Sequence, residues 1–255
     1  MTNYKDIFEK IENTIRQQSI LSEEDFIKQF GRFKKFENKK LNDNKIFKIL
    51  TMIVFYSGFR SSVVESKEEI ILGHFPDYQT VSQYSEEDYN IILSDTKMIR
   101  NRNKIKACIQ NAKKFKTIVN KYGSFQNYLD SFNANDSFEN FFILKDKLCN
   151  FSFLGETTVY HFLSDLGFNV LKPDRVILRI FKRLGLIEND ERLLAIKQGK
   201  LFAKETGLPI RYIDIIFVKY GQIGKSVEFG LKDGVCLEKN PKCNICDITE
   251  YCNYA

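Results

Sequence analysis

Four cysteines crowd into the last twenty residues of this chain, spaced Cys236-x6-Cys243-x2-Cys246-x5-Cys252 in CLEKNPKCNICDITEYC. Thiols this close in sequence either ligate a metal centre or oxidise in pairs, so they constrain the C-terminal segment strongly. The start, MTNYKDIFEKIENTIRQQS, is charged and amphipathic and lacks the apolar core of a signal peptide. The chain is therefore expected in a reducing cytosol, where structural disulfides are uncommon. A metal site follows. Structural zinc generally uses two short Cys-x2–4-Cys knuckles, whereas here a single short knuckle is flanked by gaps of six and five. Four thiolates at such intervals can wrap a 4Fe–4S cluster, the two-residue gap binding adjacent corners and the wider gaps reaching the other two. Zinc is the alternative. Cys108 and Cys149 lie far from the motif and are expected to take no part.

The rest of the sequence reads as all-α. Only four Pro and 13 Gly interrupt it, no run shows strand alternation, and apolar residues recur at helical spacing. Phe8, Ile11 and Ile15 mark an N-terminal helix, followed by a basic connector over 32–48 and an apolar helix over 46–66. Ser85-Glu86-Glu87 starts another helix, 103–121 is long, basic and amphipathic, and further helices are expected over 137–149, 156–166, from Pro173 to Gly185, and near 189–205 and 208–220. The expected organisation is a central helical domain over 44–166 and a second domain formed by 1–43 with 167–255. No stretch is apolar enough to cross a membrane. The surplus of 39 Lys and Arg over 33 Asp and Glu, net +6, favours an anionic partner without naming one. With 23 Phe, 12 Tyr and no Trp, the aromatics serve as core, as base-stacking platforms, or as both.

Residues 148–185, LCNFSFLGETTVYHFLSDLGFNVLKPDRVILRIFKRLG, resemble the helix-hairpin-helix segment of the HhH-GPD DNA glycosylases and their aspartate-bearing helix. A tight turn between helices needs a small residue, here Gly155, and its backbone N–H groups with the next helix start can hold a phosphate, Thr157 and Thr158 adding hydroxyls. The family hairpin has two glycines around an apolar residue; this chain keeps the second and has Phe153 at the first. Asp174 lies seventeen residues beyond Thr157, close to the family's spacing to its catalytic aspartate. After Pro173 it is also a natural helix cap, and the two roles are compatible. Residues 98–116, MIRNRNKIKACIQNAKKFK, resemble the 3-methyladenine DNA glycosylase I family, as does FLGETTVYHFLSDLG. There Arg100, Arg102 and Lys104 would press a loop against DNA, with Ile99 as a wedge. The cysteine spacing is similar to the iron–sulfur loop of endonuclease III and the adenine glycosylases, whose loop presents basic residues to phosphates; Lys239 and Lys242 occupy it here. A solvated basic surface is the plain reading of all five cations.

The resemblance implies a monomeric enzyme on double-stranded DNA that flips a damaged or modified base into a pocket and breaks its N-glycosidic bond. Asp174 would stabilise the oxocarbenium-like sugar and activate water. Phe55, Tyr56, Phe59 and Tyr160 are candidates for an aromatic pocket, although helix core explains Phe55 and Phe59 equally. The carboxylate that reads alkyladenine in the 3-methyladenine family falls near Ile53 or Val54 and is absent. Bifunctional relatives carry a Schiff-base lysine at the start of the hairpin helix; Thr157 stands there. The expected activity is therefore monofunctional base excision. A glycosylase/lyase using Lys172 and a catalytically silent iron–sulfur DNA-binding protein remain as alternatives.

Overall fold

The computed structural model describes residues 2–35 and 40–254, and their regular structure is helical. An isolated antiparallel bridge joins Ser226 and Leu231. No described helix is long and apolar enough to cross a membrane. Chain contacts define two units, Met1–Asn38 with Gly167–Ala255, and Lys39–Leu166.

The first unit begins with α1 (Tyr4–Gln18), capped by Asn3, and α2 (Glu23–Gly31), capped by Ser22. The expected connector over 32–48 contains a 3-10 turn, Arg32–Lys35; its residues 36–39 lie outside the described residues. The second unit then runs through α3 (Asp43–Tyr56), α4 (Ser61–Glu65), α5 (Glu68–His74), α6 (Tyr78–Val81), α7 (Glu86–Ser94), α8 (Arg102–Tyr122), α9 (Phe125–Asp130), α10 (Phe138–Leu148) and α11 (Thr158–Asp165). The chain returns to the first unit with α12 (Arg175–Arg183), α13 (Arg192–Thr206) and α14 (Ile210–Gly221).

The apolar run over 46–66 is two helices, not one. Ser57 turns to an extended conformation and Gly58 takes φ +78, a left-handed value that glycine adopts without a side-chain clash. Around Ser85 the expected helix start is a full capping box with Asp88.

In the first unit, α14 is apolar on nearly every side, as a helix enclosed by others must be. Its Ile213, Ile216, Phe217 and Tyr220 are fully buried, and Phe8, Phe30, Phe181 and Phe202 belong to the same core. α12 buries Ile177, Leu178, Ile180 and Phe181 and turns its cations elsewhere. At the last residue of α14, α12 comes so close that a Cβ on Gly221 would stand 2.7 Å from Val176 Cγ1 and 3.0 Å from both Arg179 Nη2 and Ile180 Cδ1. Gly221→Val should therefore destabilise the fold by about 1–3 kcal/mol, the usual cost of overpacking. Denaturant unfolding measures this; an unchanged midpoint would refute the close approach.

Candidate functional site

Asp174 is built into the start of α12. Its Oδ1 accepts from the Val176 and Ile177 amides at 2.9 and 3.2 Å. One carboxylate oxygen is thus engaged in capping, at the positive pole of the helix. The other, Oδ2, lies 3.5 Å from Lys172 Nζ, with both side chains roughly a quarter exposed (25% and 21%). The Asp174 amide donates to the Lys172 carbonyl at 2.8 Å, closing a tight turn over the buried Pro173. The Lys172 amide in turn donates to Asp214 on α14 at 3.2 Å. The site therefore offers one fixed, half-shielded carboxylate oxygen beside an ammonium. Such a group can stabilise a developing cation and take a proton from water.

In the second unit, the hairpin between α10 and α11 differs from its sequence reading. The residue with the demanding backbone is Phe153, at φ +68; Gly155 does not have a positive φ, and a Cβ there would meet nothing within 4 Å. The Gly155 amide donates to Thr158 Oγ1 at 2.8 Å, and that hydroxyl donates to the Phe153 carbonyl at 2.6 Å. Gly155 and Thr158 therefore brace the turn from within, so their expected roles as outward phosphate donors need correction. Thr157 stands at the cap position of α11 and makes no capping bond with its side chain. The buried Asn111 of α8 grips Ser152 at both its amide and its carbonyl, at 2.8 and 3.0 Å.

Lys104 also needs correction. It is 3% exposed, and its ammonium donates to the carbonyls of Val54 and of Ser57 at the end of α3. It lies 4.5 Å from the Phe153 ring centroid and 5.4 Å from that of Phe59. Burial pushes its pKa down to about 8. This lysine ties α3 and α8 to the hairpin and is not offered to a phosphate; the spacing of basic residues could not reveal that. Arg100 and Arg102, on either side of the α8 cap Asn101, are exposed, and Ile99 is half-buried.

The four aromatic candidates do not form one pocket. Phe55 is fully buried and packs near Phe75, at 6.1 Å between ring centroids. Tyr160 is 4% exposed and pairs with Phe141, burial raising its phenol pKa. These two are core, because their faces of α3 and α11 turn inward. Tyr56 is half-buried, 5.9 Å from the His161 ring, and Phe59 is 38% exposed after the Gly58 turn.

The motif cysteines line a single cavity with Tyr220, Val235, Pro241 and Ile248. Arg183 Nη1 donates to Cys236 Sγ at 3.1 Å, and the Tyr220 hydroxyl lies 2.9 Å from Cys246 Sγ. Arg179 of α12 donates to the Cys236 carbonyl at 3.1 Å, and the Asn253 amide donates to the Arg183 carbonyl at 2.7 Å. The loop that bears the cysteines is thus fastened to the helix that Asp174 caps. Among the described residues, no three His, Cys, Asp or Glu side chains converge on a single-ion site. Lys239 is exposed and Lys242 half-buried. Arg179, Arg183, Tyr220, Asn111 and Asp214 were not singled out as site residues by the sequence, although Arg179 and Arg183 lie on the helix that resembles the family's and Asp214 is a carboxylate within an apolar helix.

Comparison with known families finds that the methyladenine glycosylase family model matches residues 34–172. No curated protein matches the chain. Among solved structures, a trapped covalent intermediate of endonuclease III with DNA is similar at a TM-score of 0.56 and 15% identity, covering 95% of each chain. The 8-oxoguanine glycosylase/lyase of Methanocaldococcus jannaschii, in complex with DNA containing 8-oxoguanine, has a TM-score of 0.52 and 20% identity, covering 83% of this chain and 95% of its own. The 8-oxoguanine DNA glycosylase of Thermotoga maritima gives 0.52 and 16%, covering 84% and 95%. These similarities place the fold in the all-α endonuclease III-like class.

Proposed function

The chain belongs to the methyladenine glycosylase family and is a DNA N-glycosylase, and from that premise we propose that it acts monofunctionally, with Asp174 as its catalytic carboxylate. The observation that carries this reading is the division of labour at Asp174: Oδ1 is fixed by two backbone amides while Oδ2 stays available beside Lys172. A base flipped out of double-stranded DNA would lose its bond to C1′ with the electron pair going to the base. The sugar then carries positive charge, which Oδ2 stabilises. Water attacks C1′, Oδ2 takes its proton, and the products are a free base and an abasic site. Arg100, Arg102 and Lys239 are the exposed cations suited to phosphates, and Thr157 with the start of α11 is the anion site of the hairpin.

The four thiols, with Arg183 and Tyr220 hydrogen-bonded to two of the sulfurs, fit a 4Fe–4S cluster held by Cys236, Cys243, Cys246 and Cys252. When bound, the cluster would organise the C-terminal loop.

The proximity of Lys172 to Asp174 favours a second reading, in which the amine attacks C1′ as a lyase nucleophile. Thr157, at the start of α11 where bifunctional relatives carry the Schiff-base lysine, has no amine to attack C1′, which supports the monofunctional reading. The test is a panel of duplexes bearing alkylated, oxidised or deaminated bases, scored for free-base release and for borohydride-trapped adduct. Wild-type protein should leave an intact abasic strand that breaks only in alkali, and Lys172→Ala should release base at nearly the wild-type rate. An adduct that disappears in Lys172→Ala would establish the lyase instead.

A further inference from the structure

Asp214 is 1% exposed, the only buried Asp or Glu among the described residues, and it sits on the most enclosed helix of its unit. Burying an ionised carboxylate costs several kcal/mol unless a counter-charge and hydrogen bonds compensate it. Both are present. Oδ2 accepts from Arg211 Nη1 at 2.6 Å, and Oδ1 accepts from the Lys172 amide at 3.2 Å. We propose that Asp214 is the positioning residue for Asp174, fixing the Lys172–Asp174 turn through the Lys172 amide and so setting where Oδ2 of Asp174 points. This rests on the reading of Asp174 as the catalytic carboxylate.

The turn is anchored at three points: Asp214 on the Lys172 amide, the Asp174 amide on the Lys172 carbonyl, and Asp174 Oδ1 on the first amides of α12. Leu171, just before it, is fully buried against Gly199, where a Cβ would stand 2.1 Å from Leu171 Cδ2. Of these anchors, the one supplied from outside the segment by a polar side chain is Asp214. Without it the Lys172 amide loses its acceptor, and the position of Oδ2 rests on local bonds alone. A shift of about 1 Å in a catalytic group can lower a rate on the order of a hundredfold.

The charged groups facing Asp214 are Arg211 on its own helix and Lys172 and Asp174 on the turn. Elsewhere around α14, Lys34 of the 3-10 turn lies 4.4 Å from the Tyr212 ring centroid, and Glu12 of α1 accepts from the Tyr212 hydroxyl at 2.6 Å. Burial pushes the Asp214 carboxyl up to about 6; Arg211 opposes the shift and the Asp174 charge adds to it. Asp214 therefore ionises within the working range of an enzyme, and its grip on the turn strengthens as pH rises through that value. Below it, a neutral acid is a weaker acceptor for the amide and a weaker partner for Arg211.

The test compares wild type, Asp214→Asn, Arg211→Met and Asp174→Asn on the duplex that the panel shows to be processed best. Asn resembles the protonated acid, so Asp214→Asn should lower kcat about tenfold or more at pH near 8, with KM changed less than about twofold and the gap nearly closed at pH near 5. Arg211→Met, which removes the cation that favours ionised Asp214, should move the acid limb of the wild-type profile to higher pH. Independently of any substrate, hydrogen exchange at the Lys172 amide should speed up in Asp214→Ala. An equal loss at both pH values would mark a merely structural residue and overturn the proposal. So would wild-type kcat in Asp214→Asn, an unmoved acid limb in Arg211→Met, or unchanged exchange at Lys172. Full activity in Asp174→Asn would overturn the catalytic reading and this proposal together, whereas a silent Asp214→Asn beside an inactive Asp174→Asn would overturn this proposal alone.

Discussion

Asp174→Asn should lower base release by roughly a hundred- to a thousandfold, the scale seen when one preorganised electrostatic group is removed from a water-poor site. The variant should fold and bind DNA as the wild type does. Asn retains an oxygen for the Val176 and Ile177 amides, so the cap of α12 survives. What disappears is the negative charge at Oδ2, the only feature of the side chain that faces a cation in the reaction. Single-turnover release from the preferred duplex, with thermal unfolding and DNA affinity measured alongside, separates chemistry from folding. If release persists at the wild-type rate while the fold is intact, Asp174 is only a cap, and the reacting group must be sought near Tyr56 and Phe59.

Replacing a motif cysteine should have the next largest effect, on stability rather than on chemistry. Beyond α14 the described chain forms the isolated Ser226–Leu231 bridge and two short 3-10 turns, Cys243–Ile245 and Thr249–Tyr251, and few of its side chains are buried. So small an apolar contribution leaves the loop dependent on its ligand, because the free energy of binding a metal group to a site absent from the unfolded chain is folding free energy. Wild-type protein purified without oxygen should be brown and carry close to four irons per chain. Cys246→Ser should lose the iron and about 4 kcal/mol of stability, lowering Tm by about 10 °C for a chain of this size. Cys108→Ala and Cys149→Ser should keep full iron content, since neither residue lines the cavity of the motif cysteines. Stoichiometric zinc with little iron in the wild type would refute the cluster.

Several features were legible in the sequence because they are local. The all-α class follows from helical spacing with few breakers. The cap at Asp174 follows from its place after Pro173 and before an amphipathic run, and the spacing of the thiols is itself the observation. Each of these depends on residues within one continuous segment of the chain.

Only the tertiary structure decided which side of a helix meets which neighbour. Lys104 reads as one more surface cation until the end of α3, fifty residues away in sequence, presents two carbonyls to it. Phe55 and Phe59 lie one helical turn apart in the sequence, yet α3 ends at Tyr56 and the chain turns at Gly58 between them; Phe55 is enclosed and Phe59 is exposed. Gly155 was the natural residue for a strained turn, but the strain falls on Phe153, whose ring rests beside Lys104. Asp214 acquires a role only because the chain brings the Lys172 amide to it across forty-two residues. Sequence periodicity records the preferences of one segment; burial of a charge or satisfaction of an amide depends on a second, distant segment, and packing alone supplies that partner.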